Sequence, residues 1–395
     1  MDALIMACGT GGGHNGAAYA LKAELEHRGH TAVFMDPYTL INEHLSDNVG
    51  GAYISMVQRV PWLFAIIYQM GEIYRKLPIR SPVYALNKRM ADPLRRYLAE
   101  HHFDVILIPH LFPAMIVKAM KEDGAELPPT IYIPTDYTCI PFTEETGCDY
   151  MDIPSPRLVD EFLAKGIKPE EILTFGIPVR PEFSNPTPRE ELLTQMDLDP
   201  EKHYILLSGG SMGAGKLYRA AKKLQRFLRV HPDHVLIVVC GTNDLLYKRL
   251  DSRYGKNSQM ILTHVVENMG TLMKVSDAIL TKPGGLSCTE GAVCNRPIIF
   301  VSPIRGCESH NLEFFSTLGL GVNLVNHRGR IGRALELLSG SEYEEQMLKM
   351  QREEINPHAA TDICDFAEKL VKERDLQEQS EEDSKLRLVY PAEEA

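Results

Sequence analysis

Two glycine-rich turns lie about half a chain apart, Gly9-Thr-Gly-Gly-Gly-His14 and Ser208-Gly-Gly-Ser-Met-Gly-Ala-Gly-Lys216. Each follows an apolar run, Ala3-Leu-Ile-Met-Ala-Cys8 in one case and Tyr204-Ile-Leu-Leu207 in the other, and each opens a helix-like stretch. Glycine lets the chain turn sharply and approach a ligand with no Cβ in the way, and the helix that follows points its first N–H groups at an anion. The chain therefore reads as two nucleotide-binding-type halves, an arrangement that few folds accommodate.

The rest of the sequence repeats this grammar. Strand-like pieces at Ala3–Cys8, Ala32–Met35, Val105–Ile108 and Thr130–Ile133 alternate with helix-like ones such as Gly16–Arg28. The second half has strands at Tyr204–Leu207, Val235–Val239, Met260–Leu262, Ala278–Leu280 and Ile298–Val301, with a helix over Lys216–Val230. Such alternation predicts an α/β protein of two doubly wound, Rossmann-like domains facing across a cleft, with ligands outside the carboxyl ends of the strands. Prolines crowd Ile177-Pro-Val-Arg-Pro181 through Asn185-Pro-Thr-Pro188 and mark the hinge. The expected units are 1–183, 184–370 and a charged tail, 371–395, which lacks helical periodicity from about Gln377 and is expected to be mobile. With 395 residues and 44% hydrophobic content, two cores are within reach. A formal net charge of −11 argues against nucleic acid as a partner. Eight cysteines without CxxC spacing and no signal-peptide pattern point to a reducing cytoplasm, and no apolar stretch approaches the ~20 residues of a membrane span.

Several motifs carry chemistry. The first turn parses as GxGxxG through Gly11, Gly13 and Gly16, with Asp36 after the second strand, which leaves an NAD-dependent dehydrogenase open. A titratable His14 in such a turn gains a dinucleotide nothing. The second turn approaches a Walker A pattern, but Leu217 stands where a Mg²⁺-binding hydroxyl is required, so Gly210, Ser211, Met212 and Gly213 read better as a cradle for a diphosphate. In Thr281-Lys-Pro-Gly-Gly-Leu-Ser-Cys-Thr-Glu290, Gly284, Gly285 and Ser287 can offer donors to phosphate, and Glu290 can accept from two ribose hydroxyls. Ser287 and Glu290 also have the spacing of a capping box, which stays open here. Asp197-Leu-Asp199 has the DxD form but reads as a turn, and no metal site and no cofactor beyond the donor substrate are expected.

Five local patterns together resemble the GT-B glycosyltransferases of the monogalactosyldiacylglycerol synthase and processive diacylglycerol glucosyltransferase family. They are Gly11-Gly-Gly-His14, Pro134-Thr-Asp-Tyr137, Gly176-Ile-Pro-Val-Arg-Pro181, Gly209-Gly-Ser-Met-Gly213, and Thr281-Lys-Pro-Gly-Gly285 with Glu290. The resemblance extends to about residue 370. It implies transfer, with inversion, of a hexose from a UDP-sugar to diacylglycerol or a related glycerolipid. A UDP-N-acetylglucosamine transferase acting on a lipid-linked cell-wall precursor is the alternative. The resemblance also implies that Glu290 holds ribose, that backbone near Val265 and Val266 reads the base, and that Glu308 and Asn311 contact the sugar. Cys307 stands where the family has glutamine.

Attack on the sugar requires a group that removes the acceptor's proton. His14, with Asp136 as base or orienting group, is the expected catalytic pair. Gly13 is placed beside the donor. A basic, aromatic segment containing Trp62, Phe64, Tyr68, Arg75, Lys76 and Arg80 is expected to meet an anionic membrane surface and the lipid acceptor, which makes the protein peripheral on the inner face of the cell membrane. Core helices with solvated basic faces are the competing reading of that segment.

Overall fold

Side chains that alternate across two parallel sheets decide the architecture. In the computed structural model, which describes residues 1–9, 12–41, 61–75, 79–301, 303 and 306–389, the first sheet holds β1 (Asp2–Met6), β2 (Thr31–Met35), β3 (Val105–Ile108), β4 (Thr130–Tyr132), β5 (Tyr150–Asp152) and β6 (Ile172–Leu173) in the order β2-β1-β3-β4-β5-β6. The second holds β7 (His203–Ser208), β8 (His234–Val239), β9 (Met260–Thr263), β10 (Ala278–Thr281), β11 (Ile298–Phe300) and β12 (Val322–Asn323) in the order β12-β11-β10-β7-β8-β9. All pairings are parallel.

Both faces of each sheet are covered by helices, which is why the strands read as unbroken apolar runs. Leu4 and Met6 of β1 join a core continuous with the domain interface, whereas Ala3 and Ile5 face an outer core. In β7, Tyr204 and Leu206 lie on the interface side and Ile205 and Leu207 on the outer side. Each sheet has a switch point where strand order reverses, between β1 and β3 and between β7 and β10. Loops leaving those four strands diverge and open a crevice.

One expectation about the C-terminal part of the chain changes. The final helix, Ala359–Val389, leaves the second half and packs on the first sheet, where Ile363, Cys364, Ala367 and Val371 complete the outer core with Ala3, Ile5 and Val105. Residues 359–370 thus pack with the first half. The same helix also runs through the segment expected to be mobile. Its Glu, Gln, Lys and Leu residues favour helix intrinsically, and spaced pairs such as Lys369 with Glu373 and Arg374 with Glu378, each 3.8 Å apart, reinforce it without an apolar stripe. No helix among the described residues is long and apolar enough to cross a membrane.

Candidate active site

Loops from the carboxyl ends of β1, β4, β7, β8, β9, β10 and β11 enclose one cleft of ≈ 1400 Å³, its open mouth included. Gly13, His14 and Asp136 enter from the first half, and Gly210, Ser211, Met212, Val265, Val266, Gly284, Gly285, Ser287, Glu290 and Glu308 from the second. Two residues expected there stand behind the lining. Gly213 packs against the Cys240 carbonyl, and Asn311 is fully buried.

The halves touch where side chains are absent. A Cβ on Gly12 would lie 2.4 Å from the Ser211 hydroxyl, and one on Gly285 would lie 1.9 Å from the Thr135 carbonyl oxygen. Both distances forbid any larger residue while the halves stay this close. Tyr137 bridges the boundary as well: its hydroxyl meets Thr289 Oγ1 at 2.8 Å, and its ring stacks on Phe314 at 4.7 Å and meets Phe315 edge-on at 5.0 Å.

The first helix begins at Gly12, four residues before the sequence reading placed it, so His14 sits in its first turn. His14 Nδ1 donates to the Pro109 carbonyl at 2.9 Å and lies 2.9 Å from Thr135 Oγ1. A carbonyl only accepts, so Nδ1 carries the proton and Nε2 the lone pair. Burial lowers the His14 pKa from its ordinary value, against the opposing pull of the Asp136 charge and the Pro109 bond. Its ring meets that of buried His110 edge-on at 4.4 Å. The dinucleotide reading of this turn loses its supports. Asp36 accepts from Gly9 N and Tyr38 N and so ties down its own loops, and Gly16 is small because Leu286 of the other half lies over it.

Glu290 lies in the helix Gly285–Val293, whose N-cap is Gly284. Ser287 is therefore already inside the helix, and no capping box forms. The Glu290 carboxyl takes no hydrogen bond from the described residues, and its pKa is pushed up to about 8, chiefly by burial, with Arg180 opposing and Glu182 adding to the rise. Arg180 itself pairs with Glu182 at 2.9 Å and lines the cleft. Lys282 was passed over in the sequence although it stands in the quoted Thr281–Glu290 motif. Its ammonium lies 3.0 Å from where a Gly284 Cβ would be and 3.8 Å from that of Gly210, between the two glycine turns, and it pairs with Glu308 at 2.5 Å. Burial disfavours that charge, but Glu308 outweighs it and the Lys282 pKa is raised. Cys307 sits beside Asp136, and burial followed by that carboxylate pushes its thiol pKa well up. Asp199 Oδ1 accepts from Glu201 N in a surface turn, which accounts for the DxD sequence locally.

Residues 14–179 match the family described as monogalactosyldiacylglycerol (MGDG) synthase, and residues 204–370 match the glycosyltransferase family 28 C-terminal domain. The chain belongs to this family of glycosyltransferases. The glycosyltransferase is 24% identical over 376 residues to the processive diacylglycerol beta-glucosyltransferase of Bacillus pumilus (strain SAFR-032), covering 94% of this chain and 95% of the relative. It is 26% identical over 293 residues to the enzyme of the same description from Staphylococcus aureus (strain Newman), 71% and 70% of the two chains. Among solved structures it is similar to MurG of Acinetobacter baumannii, with a TM-score of 0.57, 14% identity and coverage of 93% of this chain and 99% of the other. That likeness is one of fold, and the expected GT-B architecture is borne out.

The membrane-facing expectation for this glycosyltransferase is revised residue by residue. Arg75, 4% exposed, is held by Glu144 at 2.6 Å, by Glu72 and by the Cys139 carbonyl, so it is a structural cation and does not face a bilayer. Arg80 pairs with Glu122 and lies over the Tyr84 ring. Tyr68 turns toward the second half, its ring 6.4 Å from that of His310 and its buried hydroxyl without a partner among the described residues. Lys76 and the side chains of Trp62 and Phe64 lie outside the described residues. Among its described side chains the helix Pro61–Tyr74 presents an apolar stripe outward. Ile66, Met70 and Ile73, spaced to share one face, are 43% to 66% exposed, with Ile79 and Leu86 exposed nearby.

Proposed function

We propose that this glycosyltransferase moves a hexose from a UDP-sugar to the hydroxyl of diacylglycerol or a related glycerolipid at the cytoplasmic membrane surface, with inversion. The observation that carries the reading is the meeting of three glycine turns with a proton-accepting histidine in a single cleft. Ser211 and the amides around Met212, Gly284 and Gly285 hold the diphosphate, Glu290 the ribose and the backbone at Val265 and Val266 the base. The Lys282 ammonium and the start of the Gly285–Val293 helix stabilise the negative charge that gathers on departing UDP. The bond from the acceptor oxygen to the anomeric carbon forms as the bond from that carbon to the phosphate oxygen breaks, and His14 Nε2 takes the acceptor proton. The Asp136 charge supports the imidazolium that results. No cofactor beyond the donor is called for.

The exposed stripe of Ile66, Met70 and Ile73 suits insertion at a bilayer interface, where the lipid acceptor enters. The test is incubation with labelled UDP-glucose, UDP-galactose or UDP-N-acetylglucosamine and mixed lipids containing diacylglycerol. Label entering the organic phase only when diacylglycerol is present supports the reading. Label that requires a polyprenyl-linked precursor in its place, or binding of NAD with no label moved, overturns it.

A further inference from the structure

Asn311 is fully buried and stands behind the cleft lining, so it has no face to offer a donor sugar. Every polar atom of its side chain is nonetheless engaged. Its Oδ1 accepts from the Tyr137 backbone N–H at 2.7 Å, and its Nδ2 donates to the Pro283 carbonyl at 3.1 Å and to Asp136 Oδ1 at 2.7 Å. Because a backbone N–H only donates and a carbonyl only accepts, these partners fix which way the amide points. Asn311 lies on the helix Cys307–Thr317 of the second half, whereas Asp136 and Tyr137 follow β4 of the first. Cys307, one helical turn before Asn311 and so on the same face, places its thiol beside the same carboxylate. A carboxylate from one half is thus held by a side-chain amide of the other, and the chain beyond it is anchored there by the Tyr137 ring.

We infer that Asn311 is a positioning residue that orients Asp136 across the domain boundary, so that the proton-accepting side of the reaction centre is complete only while the donor-binding half is apposed. The inference rests on the assignment of His14 and Asp136 under the proposed function. It gives the enzyme a reason to build its centre from two halves. Asp136 loses its orienting donor whenever the halves part, and the pair is then poorly set to activate a stray water against a bound UDP-sugar. The titratable groups that feel the Asp136 charge are His14, Tyr68, Tyr132, Lys282, Cys288 and Cys307.

The experiment uses the full-length enzyme with labelled UDP-sugar and diacylglycerol in mixed micelles. Turnover is followed across pH alongside calorimetric UDP affinity. Asn311→Asp keeps the acceptor for Tyr137 N–H but sets a second carboxylate against Asp136. The expected result is a fall in kcat of about 100-fold and an acidic limb moved up by about one pH unit, because added negative charge favours the protonated form of His14. UDP affinity is expected to stay within about threefold, far less than the loss of a diphosphate or ribose contact produces. Asn311→Ala removes the donor to Asp136 without adding a charge and decides the matter if the first variant fails to fold; kcat is expected to fall by about tenfold or more with UDP affinity within about threefold, a loss on the scale of one hydrogen bond to a charged group. Loss confined to the KM for UDP-sugar with an unmoved pH profile in Asn311→Asp, or an undiminished kcat in Asn311→Ala, overturns the inference. If the native enzyme itself transfers no hexose, the functional reading falls first.

Discussion

The helix that opens at Gly12 and the helix that opens at Gly285 start in the same way, with small residues and bare amides at the end of a parallel strand, yet they carry different side chains into the cleft. The first brings a buried imidazole whose free lone pair is fixed by a carbonyl. The second brings a carboxyl, with a lysine on the loop just before it, and faces a second glycine turn. Under the proposed function, one fold motif serves proton transfer in one half and holds an anion in the other. The contrast teaches that a glycine turn specifies only an approach, and that the chemistry is set by the one or two side chains placed beside it.

Four experiments can break or sharpen that contrast. The largest effect is expected for His14→Ala, which should lower kcat by about 10²–10⁴-fold, the range for a lost general base, while calorimetry finds UDP affinity unchanged. A parallel loss of UDP binding would show both turns holding the same anion. In the native enzyme burial lowers the His14 pKa, so the unprotonated base persists to lower pH than an exposed histidine would, and turnover should fall only below the usual histidine range. Next comes Gly285→Ala. Its methyl group would meet the Thr135 carbonyl oxygen at 1.9 Å and force the halves apart, and about 100-fold of kcat should go with that misplacement. Small-angle scattering should report a more open molecule, and an unchanged profile with full activity would refute the close approach.

Glu290→Ala should weaken UDP binding by about 10–100-fold, the value of a charged hydrogen bond. Since burial holds this carboxyl protonated up to about pH 8, native affinity for UDP should improve as pH rises through that value and the ionised, doubly accepting form appears. The alanine variant should lack that improvement, and a matching pH trend in both proteins would remove Glu290 from the site. The smallest effect is expected for Met70→Glu with Ile73→Glu. Flotation with anionic vesicles should show binding weakened by about tenfold, as two apolar contacts are lost at the interface. Turnover of a short-chain, water-dispersed acceptor should be untouched.

Much of this was legible in the chain because buried parallel strands have no polar face. Val105–Ile108 and Val235–Val239 announce themselves as unbroken apolar runs, and the glycine turns locate the cleft. The strands β5, β6 and β12 escaped notice since two or three residues at a sheet's flank carry no period. Arg75 was misjudged for a different reason. Its neutralising partner, Glu144, lies 69 positions away, and only tertiary structure brings them together. Lys282 and Arg180 were printed inside motifs already singled out, but the fold was needed to show that both point into the cleft. Asn311 could be named from sequence as a site residue, yet two of its three hydrogen-bond partners belong to the other half.

The polypeptide passes between the halves twice, once through Gly176–Pro181 and again just before Ala359, and the two passages run side by side. Asn356 Nδ2 donates to the Phe175 carbonyl at 2.9 Å, and the position of a Gly176 Cβ lies 3.9 Å from that of Ala359. A door hung on two adjacent hinge plates keeps one swing and loses its twist. Any opening of this enzyme would have to bend both passages together, and two adjacent crossings favour a single swing that parts Gly12 from Ser211 and Gly285 from Thr135 at once.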